Sequence, residues 1–325
     1  MSRVKALGLF SGGLDSILAA LVLRRAGVDV EVVTFTSLFF GAETARVSAQ
    51  AHGLVHHVVA LGDDYLEMVR SPRYGYGSQM NPCIDCHAFM VRVAGGMLEE
   101  LGAEFVFTGE VLGQRPMSQN LGALNAVAKL SGMRDRLLRP LSAKLLPPTA
   151  VEKRGLVDRD KLLGLRGRSR KPQMALAKEL GVRFYPSPAG GCLLTDPGFA
   201  RRLRDLWDHD PRAGAAEIQL LKLGRHIRLS PRLKLIVARN QGENARLERM
   251  REMGCVLLRP MGVGGPVGLL VGQAEAADIQ RAAAIVAGYT KGARADVPVR
   301  IRLEPGGEEV VASPLHPRHV QPLLI

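Results

Sequence analysis

Four cysteines occur in the 325 residues, and two of them, Cys83 and Cys86, stand three positions apart in NPCIDCH. Thiols at that spacing can close a disulfide, hold a zinc ion, hold an iron–sulfur cluster or pass on a sulfur atom. The apolar positions that follow, Phe89, Met90, Val93, Met97, Leu98 and Leu101, keep helical spacing. Cys83 and Cys86 are therefore expected at a helix start, on one face, where the helix dipole would lower a thiol's pKa. Cys192, in GGCLLTDP, follows a glycine loop that lets backbone approach a ligand closely, and only the fold could bring it to the other two. Cys255, in the strand-like EMGCVLLRP, reads as a buried core residue. Four cysteines do not make a disulfide framework, and a CxxC pair in a reducing compartment points to metal or redox chemistry. A zinc half-site completed by His87 or Cys255, and a thioredoxin-like pair, are the plainer readings.

A second chemical motif is SGGLDS, Ser11 to Ser16. Gly12 and Gly13 allow a tight turn with converging N–H groups, and a helix beginning there would point its positive end at the same spot. Ser11 and Ser16 add hydroxyls, and Asp15 can cap the helix or hold Mg2+ between phosphate oxygens. The alternative is an ordinary well-capped turn. A Walker loop is excluded, because GxxxxGK followed by Ser or Thr is absent.

The elements that must position these groups follow an alternating pattern. VKALGLF reads as a buried parallel strand, SILAALVLRRAG as a helix ended by glycine, VDVEVVTFTS as a second strand, and AEFVFTGE as a further one. The fold class is α/β: a doubly wound, mostly parallel sheet with a second, smaller, basic α+β domain. Ligands bind such sheets at the carboxyl ends of the strands, which makes Phe35, Thr36, Thr108 and Gly109 nucleotide-site candidates and Glu110 a catalytic one. A capping carboxylate is the alternative for Glu110.

In sequence, SGGLDS resembles the pyrophosphate loop of the PP-loop ATPases, which cleave ATP between the α and β phosphates to adenylate a carbonyl oxygen. TGEVLGQ followed by SQ is similar to a stretch of tRNA 4-thiouridine synthetases, while NPCIDCH and GGCLLTDP resemble tRNA 2-thiouridine synthetases. Persulfide-type members of the latter typically have Asp where this chain has Cys83. A CxxC with one remote cysteine instead resembles the cluster-dependent thiouridine synthetases, whose three cysteines hold a [4Fe-4S] cluster. The resemblance thus implies an ATP-dependent tRNA sulfurtransferase with ATP, Mg2+ and a cluster as cofactors, tRNA and a sulfur donor as partners, and Cys83, Cys86, Cys192, Asp15 and Glu110 as catalytic. In a persulfide relay between Cys192 and Cys86, Cys83 would have no evident task. Two rivals are a PP-loop ligase or amidase without sulfur chemistry, and a non-catalytic RNA-binding protein with a relict ATP site.

Positive charge is unevenly placed. RGRSRK supplies Arg166, Arg168, Arg170 and Lys171, and the later stretch GRHIRLSPRLKLIVARN supplies Arg225, His226, Arg228, Arg232, Lys234 and Arg239. Both read as phosphate-backbone contacts, the alternatives being a solvated helix start and a basic-faced domain that mediates homodimerisation. IQLLKLGRHIRLSPRLKLIVARN reads as short alternating strands around a Ser-Pro turn, which places a domain boundary near Pro211. The domains expected are 1–210, for ATP binding and sulfur transfer, and 211–325, for RNA binding. GRHIRLSPRLKLIVARNQGENARLERM resembles an RNA-binding domain of the NFACT family, whereas residues 276–325 show nothing specific.

Lys plus Arg number 44 against 31 Asp plus Glu, and the resulting +13 favours a polyanionic partner. No apolar run approaches the ~18 residues of a membrane span, and glycines and Asp15 interrupt the first apolar run before it resembles a signal peptide. The expected location is the cytoplasm, with no membrane partner.

Overall fold

The computed structural model describes residues 3–186, 191–250 and 255–325. The chain divides into two compact units, one running up to Thr195 and one from Asp196 onward.

The first unit alternates strands and helices: β1 (Lys5–Leu9), α1 (Leu14–Arg25), β2 (Asp29–Thr36), α2 (Glu43–Ala51), β3 (Val55–Ala60), α3 (Asp63–Arg70), α4 (Cys83–Gly96), β4 (Phe105–Phe107), α5 (Leu121–Leu130), β5 (Leu137–Leu138), α6 (Ala150–Lys153) and α7 (Lys171–Glu179). The strands form one parallel sheet in the order β3-β2-β1-β4-β5. Alternation along β1 explains why both faces are covered: Ala6 joins a core with Ile17, Leu18 and Leu176, and Leu7 joins another with Val91, Val106 and Val127. The strand order reverses about β1, so the gap between the carboxyl ends of β1 and β4 is the switch point at which such sheets take ligands. Thr108 to Glu110 and Ser11 to Ser16 leave the sheet there.

In the second unit, α8 (Pro197–His209) and α9 (Ala215–Leu220) precede β6 (Arg225–Ser230) and β7 (Leu233–Val237). They are followed by α10 (Gln241–Arg249), β8 (Val256–Pro260), β9 (Gly268–Gly272), α11 (Ala276–Gly288), β10 (Val299–Glu304) and β11 (Glu309–Ala312). Its sheet is antiparallel, in the order β11-β10-β8-β9-β7-β6, with Ala282, Ile285 and Val286 of α11 buried among its strands.

Three sequence expectations change. A boundary near Pro211 would leave α8 in the first domain, yet α8 goes with the second unit, where its Asp205 pairs with Arg228 and Trp207 Nε1 donates to Ala213 O. The first three residues of the IQLL run are helical, as the end of α9, because so short an apolar run fits a buried helix turn as well as a strand. Residues 276–325, which offered no signal, supply α11 and the two strands on one side of the second sheet.

Candidate functional site

In the turn after β1, Gly12 takes a left-handed φ of 73°. A Cβ there would lie 2.7 Å from the Ala45 Cα, so only glycine lets the loop pass this close to α2. Ser48 Oγ donates to Gly12 O at 2.9 Å and pins that contact. Gly13 is the N-cap of α1 and has no side-chain cap, so the first N–H groups of the helix face outward from the turn. Ser11 is exposed, and its Oγ accepts from Gly13 N at 3.3 Å. Ser16 Oγ donates to Gly13 O at 2.8 Å.

Asp15 does not cap the helix. Its Oδ2 accepts from Gln114 Nε2 at 2.6 Å, and Gln114 Oε1 in turn accepts from Gln173 Nε2 at 2.8 Å. Asp15 Oδ1 is buried and has no hydrogen-bond partner. Gly109 explains how β4 can end against α1: a Cβ there would fall 2.7 Å from the Asp15 backbone and from Ser16 N. Phe35 is 3% exposed and packs in the core that includes Ala88 and Val91, so its ring is not presented to a ligand, whereas Thr36 at the strand end is half-buried.

Glu110 is 4% exposed and fully engaged. Its Oε1 accepts from His87 Nδ1 at 3.0 Å, and its Oε2 accepts from Thr108 Oγ1 at 2.9 Å and from Arg139 Nε at 2.8 Å. Burial opposes ionisation, but the Arg139 guanidinium and then His87 outweigh it and hold the carboxyl well below its usual range. Glu110 therefore ties α4 to the ends of β4 and β5.

Cys83 and Cys86 occupy the first turn of α4. Asn81 Nδ2 donates to Cys83 Sγ at 3.1 Å, and the Tyr65 hydroxyl lies 3.1 Å from Cys86 Sγ. The Tyr65 ring meets Phe40 and Phe89 edge-on, at 5.9 and 5.4 Å, which fixes the hydroxyl. Cys192 is held near β2 because Leu193 N donates to Phe39 O at 2.9 Å; residues 187–190 of its glycine loop lie outside the described residues.

The three thiols share one neighbourhood, since the charges of Cys192 and Cys83 bear on Cys86 and that of Cys83 bears on Cys192. The dipole expectation fails at Cys86. Desolvation pushes Cys86 up to about 12 against the Tyr65 hydrogen bond, and pushes Cys192 up to about 11 against backbone N–H donation from Leu194 and Thr195. Among the described residues, no three His, Cys, Asp or Glu side chains converge as one metal ion requires. Cys255 is 4% exposed, as expected of a core residue.

The basic candidates divide. Arg166, Arg168 and Lys171 of the first unit are exposed, while Arg170 is half-buried. In the second unit Arg232 is exposed. Arg225 donates to Ala238 O and lies over the Tyr289 ring, Arg239 pairs with Glu243, and Arg228 pairs with Asp205. Lys234 is only 5% exposed, so it is not the surface contact that the sequence suggested. All five residues of β7 are buried, so both of its faces are covered, Lys234's included.

Sequence reasoning missed Tyr65, Asn81, Gln114, Arg139 and Gln173. Asn81 and Gln114 stand inside the quoted motifs, whereas Tyr65, Arg139 and Gln173 carry no local signal and meet the site only through the fold.

Residues 1–144 match the family model described as Thiamine biosynthesis protein (ThiI), and residues 224–322 match the NFACT protein RNA binding domain. The second match extends through the tail that had no sequence signal. A tRNA-specific 2-thiouridylase MnmA of Methylorubrum populi is 27% identical over 66% of this chain and 58% of its own length. A probable tRNA sulfurtransferase of Staphylococcus aureus is 30% identical over 42% of this chain and 34% of its own. The chain thus spans well under two-thirds of either relative. The crystal structure of a 4-thiouridine synthetase–RNA complex with bound ATP is 23% identical, covering 55% of this chain and 52% of that one with a TM-score of 0.35. A predicted tRNA methyltransferase subunit from Methanocaldococcus jannaschii is 17% identical, covering 54% and 76%, with the same TM-score.

Proposed function

Because the chain joins a ThiI-type segment to an NFACT-type RNA-binding segment, we propose that it is an ATP-dependent tRNA sulfurtransferase that replaces a uridine carbonyl oxygen with sulfur. The observation that carries this reading is the gathering of three thiols, from α4 and from the loop at Cys192, in the same unit as the phosphate-binding turn.

The backbone N–H groups of Gly12, Gly13 and the start of α1 bind the pyrophosphate part of ATP. Asp15, with one buried oxygen unpartnered, is the residue that would hold Mg2+ there. Thr36, Thr108 and Gly109 border the nucleotide at the strand ends. The uridine oxygen attacks the α phosphorus and pyrophosphate leaves; the resulting O–AMP group is then displaced as AMP when sulfur bonds to the same carbon. The half-buried thiols limit water, which would otherwise hydrolyse the adenylate.

Cys83, Cys86 and Cys192 would hold a [4Fe-4S] cluster. The donor set suits it: one ion would need sulfurs roughly 4 Å apart, whereas a cluster takes each thiolate on a separate iron and tolerates wider spacing. When bound, such a cluster supplies an iron free of protein ligands to which sulfide can attach. Asn81 and Tyr65 orient two of the sulfurs by the contacts above, and Glu110 positions α4 rather than acting on the substrate. The exposed Arg166, Arg168, Lys171 and Arg232 are proposed to meet tRNA phosphates. Sulfide or a carrier is the donor, and the cytoplasm is the proposed location; among the described residues no helix is long and apolar enough to cross a membrane.

The test is anaerobic purification with iron and sulfide quantified, followed by nucleoside mass spectrometry of tRNA incubated with ATP and sulfide. Thiouridine formation that needs ATP and is lost in Cys83→Ala, Cys86→Ala and Cys192→Ala is the expected result. Unchanged activity in the three variants would sink the sulfur reading, and stoichiometric zinc without iron would sink the cluster.

A further inference from the structure

In the second unit Arg202 and His226 each have one buried nitrogen without a hydrogen-bond partner, although His226 Nε2 meets Leu223 O at 2.8 Å, and Lys234 is nearly buried. On the β6–β7 hairpin Arg228 stands directly opposite Lys234, and His226 stands opposite Ile236, so the charged pair and the histidine share one face. Like charges directly opposite on neighbouring strands repel. Helix α8 brings Arg202 and Asp205, one turn apart, over the same face, where Asp205 engages Arg228 through Nε at 3.1 Å and through its terminal nitrogen.

Lys234, 5% exposed, has no hydrogen bond or ion pair among the described residues. Arg202 Nε and His226 Nδ1 are buried without a hydrogen-bond partner, and His226 is 1% exposed. Each of the three feels another's charge: Lys234 feels Arg202, and His226 feels both.

Every carboxylate within electrostatic reach of the two cations is already engaged. Asp205 holds Arg228, Glu243 holds Arg239, Glu217 accepts from Gly214 N at 2.9 Å, and Asp196 accepts from Phe199 N at 2.6 Å. Nearly buried Lys234 and half-buried Arg202 therefore share carboxylates that other donors already hold, an arrangement that a bound anion or ordered water would complete. Burial and Arg228 also push the Lys234 ammonium down to about 8, against the pull of Asp205, as expected of a cation awaiting its anion.

We propose that Lys234 and Arg202 form a binding site for one phosphate group beneath α8. The site stands independently of the sulfur-transfer reading. Its phosphate could come from an RNA backbone or from free phosphate, and the two sources are separable.

The first measurement is thermal unfolding of the full chain in inorganic phosphate against chloride at equal ionic strength, for wild type, Lys234→Met and Arg202→Gln. Phosphate excluded from the surface, or bound at the Gly12 turn, acts on all three proteins alike. A further rise in Tm for wild type only, with about tenfold or more weaker phosphate binding in both variants, is expected. The second measurement is the salt dependence of the Kd for a tRNA transcript. A slope reduced by about one in Lys234→Met identifies an RNA phosphate; an unchanged slope with the phosphate response lost identifies free phosphate. If either variant responds to phosphate like wild type and keeps the wild-type slope, water solvates the cations and the proposal is wrong. Should Lys234→Met not fold, Arg202→Gln, on the half-buried edge of the cluster, decides in the same way.

Discussion

Cys86 and Cys192 are both pushed above ordinary thiols, and for Cys86 this is opposite to what its helix start suggests. A thiol pushed up to about 12 or 11 is protonated at neutral pH, and only thiolate attacks an alkylating agent. In metal-free protein, iodoacetamide labelling of both residues should keep rising about tenfold per pH unit through pH 9 to 10, read by peptide mass spectrometry. Rates that level off near pH 9 would show ordinary thiols. Stability carries the same sign. The folded state holds these protons more tightly than the unfolded one, so stability falls as pH rises from the unfolded pKa, about 8.5, toward 11 to 12. Glu110 sits at the opposite extreme, ionised and buried beside Arg139. Glu110→Gln leaves that guanidinium without its charge partner and should cost about 3–5 kcal/mol in urea unfolding; a loss under 1 kcal/mol would mean the network is not structural. The pair Cys83 and Cys86 was legible because cysteines are rare in the chain and their spacing is local, whereas the approach of Cys192 to them depends on the fold. The burial that sets the thiol pKa values was not legible, since Tyr65 and Phe40 approach from distant segments and nothing near NPCIDCH announces them.

At the scale of elements, the junction of β4 with α1 is the tightest part of the candidate site. Gly109→Ala must displace the Asp15 backbone, which a Cβ would approach to 2.7 Å. We expect ATP binding by titration calorimetry to weaken at least tenfold while the far-ultraviolet spectrum stays unchanged; retained affinity would show that the turn can relax. Alternation and helical spacing made β1, α1, β2, β6 and β7 readable, because each carries its whole pattern within a dozen residues. Short apolar runs such as IQLL carried no such decision. Lys234 shows a different limit. Its neighbours in sequence say strand, but which face α8 covers is settled by α8 itself.

Across the whole molecule, an excess of 13 positive charges should make RNA affinity strongly salt-dependent. Exposed Arg166, Arg168 and Lys171 are expected to contribute additively: replacing Arg166 and Arg168 with Ala should lower the slope of log Kd against log salt by about two. A weakened Kd with an unchanged slope would mean that these residues act on folding instead. Two compact units were foreseeable from length and from the change of pattern after α8. Their division at Thr195 was not, because it depends on Asp205 finding Arg228 rather than on any linker composition.

The parallel sheet ends unequally. On one side β5 has only two residues, Leu137–Leu138, but on the other β3 offers six, VHHVVA, paired with β2 alone. A proline-free, β-branched edge of that length can template the addition of a foreign strand, and its two histidines meet Thr34 and Glu31 of β2. Val55, 57% exposed, begins that edge with no charge to discourage stacking. Val55→Lys should therefore slow the growth of light scattering in concentrated protein while leaving Tm unchanged, and equal scattering by both proteins would place the aggregation seed elsewhere.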